Sequence, residues 1–298
     1  MANVNYAELY QRALQQRFAQ GLSFVELYNT SNNQNIRWVN AKTVQIPRIS
    51  VGGYTDVDRD VMGNYTRRVD NDYETKTLEH DREFRTLVDP QDVDESNMAL
   101  SIANITRVFN DEEKIPEMDK YAASKLHTEF TGFGGQVNSD AIDVNNILLL
   151  FDEFMAEMDD AEVPQEGRIL YATPAFYTLL KQASQIQRQI DVATNTGNVN
   201  RSVRSLDEVT VKSVPSSRMK TLYDFTEGAV PDPTAKQINM ILIHPQAVIT
   251  PQKYEFVDLA QPSAVTGGKY LYYERKYWDL FVIEKKVPGI KMHVEDNE

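Results

Sequence analysis

The chain predicts an α+β fold, and three observations carry that prediction. Residues 93–130 hold the longest run of helical periodicity in the sequence. A helix–strand–helix unit follows between residues 143 and 182. Extended segments flank both, at 36–88 and again from 208 to 294.

Composition suits that class. The 298 residues are 41% hydrophobic and 25% charged, enough for one large domain or two, with a core that needs no covalent staples. Cysteine is absent, which excludes disulfides and thiolate metal sites and fits a reducing compartment. No apolar stretch reaches the length of a membrane-spanning helix. The N-terminus lacks the charge-flanked apolar core of a signal peptide, so a soluble product outside the usual secretory route is expected.

Taken in order, residues 5–24 are amphipathic, with Leu9, Ala13, Leu14 and Phe18 on one side and Gly21 placed to stop a helix. The polar linker NTSNNQN (29–35) follows. Residues 1–35 are therefore expected to form an arm, either available to a neighbouring subunit or frayed. Residues 36–49 alternate as a strand, and Pro47 assigns its end to a sheet edge. Residues 73–88 are a second extended stretch. The segment between them is charged, contains glycine and has no core pattern. Such an excursion is hard to bury within one subunit and is expected to reach over something else.

In 93–130, Met98, Ile102, Ile105 and Phe109 mark one helical stripe, and Ile115, Met118, Ala122, Leu126 and Phe130 a second. Carried along at about 100° per residue, the stripes differ by roughly one residue's rotation. The slip falls in 110–116, where Pro116 is the expected kink or break because it has no N–H to donate. Unbroken, the run would span about 57 Å. A compact globule of this length is only about 50 Å wide. A flattened, elongated subunit follows.

Residues 131–143 form a turn-rich break. Asp143 is the expected N-cap of a helix whose stripe is Ile147, Leu150, Phe151, Phe154 and Met158, with Pro164 beyond its end. Residues 168–172 form a buried strand, and Thr173-Pro174 opens the next helix. Residues 182–203 are a polar loop or a polar continuation of that helix. Strands are expected at 208–214 and 238–244, with a loop at 224–233 between them. The strongest β signal lies at 269–294 and predicts a terminal hairpin turning at Pro288-Gly289.

The net charge of −13 is unevenly spread: residues 1–50 carry five basic and two acidic side chains, and residues 51–160 ten and twenty-six. Affinity for nucleic acid rests on Lys/Arg surfaces that release counterions, so the acidic middle argues against dedicated DNA or RNA binding. It suits a solvated face or a surface that must not adhere to nucleic acid.

Candidate chemistry is sparse. Asp56, Asp58 and Asp60 resemble the start of a calcium loop, but Val61 and Arg67 replace its glycine and bidentate glutamate, which leaves a solvated acidic loop. His80, His127, His244 and His293 are dispersed without metal-ligand spacing, and His127 is expected at the core edge. Nucleotide-binding and hydrolase motifs are missing. Asp111, Glu112, Glu113, Glu117 and Asp119 crowd the kink, and such a cluster can raise a pKa for acid–base work. Lacking a metal motif or a partnering histidine in the run, they read more strongly as a solvated helix face. The aromatic run Tyr270, Tyr272, Tyr273, Tyr277, Trp278 and Phe281 suits a strand packed on both sides better than a base-stacking platform. No catalyst, cofactor or metal is expected.

Three segments, in this order and spacing, resemble the major capsid protein of tailed bacteriophages, the Hong Kong 97 (HK97-like) fold. IPEMDKYAASKL (115–126) is similar to the second half of that family's spine helix. Residues 145–182 resemble its helix–strand–helix unit, with a short link built on Pro164, Glu166 and Arg168. Residues 272–294 resemble its closing β segment. The resemblance implies an N-terminal arm (1–35), an extended loop (36–88), a peripheral domain with the spine helix (89–139), an axial domain (140–250), and closing strands of the peripheral domain (251–298). It implies a non-enzymatic chain that assembles with itself, as hexamers and pentamers, into an icosahedral shell. That shell would enclose double-stranded DNA without sequence-specific binding and without a membrane.

The extended loop would lie across a neighbour. The implied location is the virion, after assembly in the host cytoplasm, with portal and decoration or head-completion proteins as further partners. Some members begin with an internal scaffolding region; here a separate scaffolding protein, or none, is implied. Some also cross-link lysine to asparagine. Lys42 and Lys76 flank the loop here, and no partner asparagine is assigned. Two alternatives stay open: an encapsulin-type compartment of the same fold, and a soluble α/β enzyme using the carboxylates near Pro116. For contacts between subunits, the candidates are Arg48, Arg59, Arg67 and Arg68 against Glu112, Glu113, Glu117 and Asp119.

Overall fold

The computed structural model describes residues 20–40, 42–54, 67–95, 102–183 and 203–296. From residue 20 the expected arm is docked. Phe24 and Leu27, flanking and within the single turn α1 (Val25–Tyr28), are fully buried. The linker that follows is a 3-10 turn, Ser31–Asn35, and its polarity is used for anchoring. Thr30 donates to the carbonyl of Pro245 (2.9 Å) and Asn32 to that of Gln246 (2.7 Å), while Asn33 accepts from the N–H of Thr250 (2.8 Å). The predicted helix over 5–24 otherwise lies outside the described residues.

Strands β1 (Arg37–Trp38), β2 (Thr43–Val51) and β3 (Val69–Thr77) make an antiparallel sheet in that order. β1 pairs only with Val44 and Gln45, so Pro47 lies where β2 has a neighbour on one side, as a residue without an N–H requires. The stretch expected as one strand over 73–88 divides at Leu78 and His80, both buried. Its second part, β4 (Asp81–Val88), joins a different sheet. The fully buried Asp279 holds this divide, accepting from the N–H of Glu79 (2.9 Å) and the hydroxyl of Tyr121 (2.6 Å).

Next come α2 (Pro90–Glu95) and α3 (Ile102–Phe109), then a π-helical turn, Asn110–Lys114, running directly into α4 (Ile115–Gly132). The phase slip has its cause here. The N–H of Ile115 donates to Asn110, five residues back, and a π turn holds one residue more than an α turn. Pro116 follows two residues past this turn and has no N–H to continue the ladder there. The second stripe is buried from Met118 through Phe130.

The remainder comprises β5 (Val137–Asn138), α5 (Ile147–Asp160), β6 (Ile169–Ala172), α6 (Pro174–Gln182), β7 (Ser205–Leu206) and β8 (Val209–Ser213). A small hairpin, β9 (Tyr223–Asp224) with β10 (Val230–Pro231), precedes β11 (Ile238–Ile243) and β12 (Val248–Ile249). The chain continues through β13 (Gln252–Ala260), β14 (Tyr270–Trp278), β15 (Phe281–Val282) and β16 (Ile290–Val294). All five residues of the α5 stripe are buried as expected. The regular helix starts after Asn146, and Asp143 caps the turn that leads into it: its carboxylate accepts from the N–H groups of Asn145 and Asn146 (2.7 and 3.0 Å) and its carbonyl from that of Ile147 (3.1 Å). Thr173 stands at the N-cap of α6, but its buried hydroxyl makes no bond.

The main core surrounds a six-stranded sheet in the order β5-β16-β11-β6-β8-β7. Ile169, Tyr171, Ile241 and Ile243 face α4 through Ala122, Ala123 and Leu126. Leu170, Ala172, Met240 and Leu242 face the apolar stripes of α5 and α6. Burial on both faces explains why β6 is apolar throughout and β11 everywhere but at Asn239. A second sheet, β13-β14-β4, lies beside the π turn, where Phe84 of β4 stacks on Phe109 (3.9 Å, 11°). The predicted terminal hairpin does not form, because its strands serve three sheets. β14 pairs with β13 and β4, β15 with β12, and β16 with β11 and β5. β16 thus belongs to the sheet of the 140–250 region and not with the closing strands of 251–298.

Candidate functional site

The residues proposed for contact between subunits fall into two groups. On the β2–β3 hairpin the chain is exposed from Pro47 outward and again from Val69 to Tyr73. Arg48 reaches back to Glu284 (3.1 Å), a pair about half open to solvent on both sides and worth little to stability. Arg67 donates to the carbonyl of Val69 (3.0 Å), and Arg68 lies 3.5 Å from that of Gly53. Both are exposed. Arg59 and the acidic run Asp56, Asp58 and Asp60 lie outside the described residues.

The carboxylates of the long helix do not act as one exposed face. Glu113 is exposed and Glu112 partly so. Glu117 turns inward to Arg82, whose Nε donates to it at 2.6 Å and whose Nη2 does so at 3.2 Å, with His80 Nε2 at 3.4 Å. Burial would raise its carboxyl, but His80 and Arg82 outweigh that and hold it below the usual range. Asp119 is fully buried. It accepts from Arg218 Nη1 (2.7 Å) and from the N–H groups of Ser23 and Phe24 (3.0 and 3.2 Å). Burial prevails over these donors and pushes its carboxyl up. Asp119 is therefore an internal clamp on the start of the chain and not part of a solvated acidic face.

Arg82 and Arg218 were invisible as partners in the sequence. They lie 35 and 99 positions from the carboxylates they meet, and no local periodicity encodes such a distance. Arg168 had a signal in the Pro164-to-Arg168 link. It is fully buried and closes the end of α5, donating to Asp159 (2.6 Å) and to the carbonyls of Val163 (2.6 Å) and Pro164 (3.0 Å). Lys76, one of the two lysines flanking the excursion, is engaged within its own subunit by Glu74 (3.2 Å) and Glu129 (3.4 Å) and lies over the Phe133 ring (4.6 Å).

A cleft of about 490 Å³ opens where the π turn meets β4 and β14, floored by Phe84 and Phe109. Its cations are each ion-paired: Arg82 with Glu117, Lys114 with Glu274, and Lys276 with Glu255. Charges neutralised in this way position segments of the fold; they leave no base paired with a nucleophile. Among the described residues no group of histidines and carboxylates is arranged to hold a metal ion, and no helix is long and apolar enough to cross a membrane.

No protein-family model matches the chain, and no curated protein matches it in sequence. Solved structures do match, over nearly the whole length. A chain from Mycobacterium phage Che8 aligns with a TM-score of 0.65 at 15% identity, covering 98% of each chain. One from the mature capsid of bacteriophage PhiM1 gives 0.68 at 13%, covering 98% of this chain and 92% of the other. One from the capsid of the cyanophage P-SCSP1u gives 0.67 at 11%, covering 99% and 94%. The α+β architecture described above, from the docked residue 20 to β16, is the fold of these phage chains, the last two of them from capsids.

Proposed function

We propose that this chain is the major capsid protein of a tailed phage, assembling with itself as hexamers and pentamers into an icosahedral shell around double-stranded DNA. The observation that carries the reading is the match to chains of two phage capsids over 98–99% of this chain. The projecting hairpin supports it, since a ribbon exposed on both sides is suited to a neighbour. The role is structural. The carboxylates near Pro116 that favoured an enzyme are tied into internal ion pairs at Glu117 and Asp119. On this reading the protein resides in the virion after assembly in the host cytoplasm, with scaffolding, portal and decoration proteins as further partners. Arg48, Arg67 and Arg68, together with Glu113, are the described residues we assign to contacts between subunits.

Expression with and without candidate scaffolding proteins, followed by electron microscopy, tests the proposal. Closed shells or capsomers are the expected result, and monomers under every condition would overturn it. Analysis of the particle contents separates the encapsulin alternative: double-stranded DNA in native particles supports the capsid, and an enclosed enzyme supports the compartment.

A further inference from the structure

The chain leaves the six-stranded sheet after β5 and returns to it at β6, and α5 is carried on the excursion between them. Each end of that excursion is tied to the sheet by an imidazole. His293, on β16 and 3% exposed, bonds the carbonyl of Asp140 through Nε2 (2.8 Å). His244, which follows β11 and is 8% exposed, bonds the carbonyl of Glu166 through Nε2 (3.1 Å). A carbonyl only accepts, so Nε2 carries the hydrogen in both rings, and in the neutral ring Nδ1 is bare.

Neither Nδ1 has a place for a second hydrogen. That of His244 already accepts from the N–H of Gln246 (3.2 Å), so a proton there would set donor against donor. That of His293 is buried with no hydrogen-bond partner among the described residues, and the Phe176 ring of α6 lies 5.1 Å away between centroids. Burial pushes both rings below their ordinary 6.5. The charges acting on His293 are Asp140 and Glu295, which favour the proton and are outweighed; those acting on His244 are Lys286 and Arg168, which oppose it. In register, His293 is paired with Met240 of β11 and Asn138 of β5, while Lys291, on the same side of β16, is held by Glu157 of α5. The two ties differ in their support. At the far end Arg168 adds bonds to the carbonyls of Val163 and Pro164 (2.6 and 3.0 Å). At the near end β5 pairs with β16 at Val137 and Asn138 alone.

We infer that the two imidazoles form a latch on the α5 excursion that acid releases, with residues 139–146 freed before 161–168. The sign follows from the bare nitrogens. A ring that takes a second proton must leave its seat, so the open link binds the proton better than the closed one. Each pH unit below the ordinary 6.5 then favours opening by up to about tenfold, until the closed form takes the proton too. Opening the near link draws β5 off the edge of β16, and the backbone of Met292 and His293 is free to pair with another strand. Acid thereby turns a covered sheet edge into an open one. The inference does not depend on the shell reading.

Hydrogen–deuterium exchange of the full chain, read by mass spectrometry at about pH 7 and about pH 5.5 and corrected for the intrinsic rate, tests the latch. Protection across 137–146 is expected to fall by up to about tenfold, with a smaller fall across 161–168 and none across β11. His293→Gln keeps a side-chain N–H for Asp140 and takes up no proton. It is expected to match the unsubstituted chain at about pH 7 and to lose the acid response of 137–146. Nitrogen NMR of the unsubstituted chain is expected to give His244 and His293 as the Nε2–H tautomer at about pH 7. The Nδ1–H tautomer at either position overturns the inference. So does unchanged protection across 137–146 at the lower pH, a fall of the same size in His293→Gln, or a uniform loss over the whole chain. If His293→Gln does not fold, the exchange and tautomer readings on the unsubstituted chain decide.

Discussion

Asp119 fixes the point at which the N-terminal segment enters the body. Its carboxylate holds the N–H groups of Ser23 and Phe24, while Arg218 also donates to the carbonyls of Gly21 (3.1 Å) and Gln20 (3.3 Å). Arg218→Ala leaves a buried carboxylate without its counter-charge, and a loss of about 3–5 kcal/mol is expected in urea unfolding. Faster amide exchange at Ser23 and Phe24 should accompany it; unchanged exchange there would mean that the clamp does not hold the segment. Titration is a second residue-scale consequence. Burial pushes His127, His244 and His293 below their ordinary 6.5. The unfolded chain then takes up protons first, so their contribution is complete above about pH 6.5 and is lost as pH falls below it. The depressed Glu117 adds a loss that begins below its ordinary 4.5. Asp119, pushed up, works in the opposite sense around its ordinary 3.8. Thermal unfolding of the subunit is expected to shift to lower temperature as pH drops from about 7 to about 5, and a flat profile would refute the burial argument.

The long helix shows how one residue inserted into one element sets the relation of two parts of the fold. The π turn lets α3 aim Phe109 at Phe84 while α4 aims Ala122 and Leu126 at the main sheet. Deleting Asp111 would restore an unbroken α register and swing α3 by about 100°. The stacked pair would part, forfeiting about 0.5–1.5 kcal/mol beyond its buried area, and a lower unfolding temperature with misshapen assemblies is expected. Just past α4, a Cβ on Gly135 would clash with the Phe130 ring. Gly135→Ala therefore overpacks against that buried ring and should cost about 1–3 kcal/mol in the same assay. Elements with a buried stripe or a short apolar run were legible in the sequence: α5 and α6 by their periodicity, β6 and β11 by their continuous burial, and all four fall within a few residues of their expected places. The phase slip was legible too, and the π turn that takes it up lies within the expected 110–116. Partner choice was not legible. β13 buries almost nothing and was missed, and the strands from β14 to β16 give no local sign that they serve three sheets. The candidate site divides the same way: exposure of Arg67 and Arg68 followed from the absence of a core pattern around them, whereas the internal pairing of Asp119 depended on an arginine 99 positions away.

At the scale of the molecule, two packed sheets and their helices form the body, and the hairpin is the part that leaves it. Reversing Arg67 and Arg68 to Glu inverts the charge of the exposed hairpin while touching nothing buried. Shells should form poorly or not at all, with an unchanged subunit unfolding temperature, and normal shells on microscopy would remove these arginines from the assembly contacts. The place of β16 has a different consequence. It sits between β5 and β11, so the main sheet stays open until residues 290–294 have left the ribosome. Contacts so distant in sequence form late, and folding here must wait for translation to pass that point. A subunit lacking residues 290–294 would leave β11 and β5 without the strand that joins them, so the core closes only once this strand is in place.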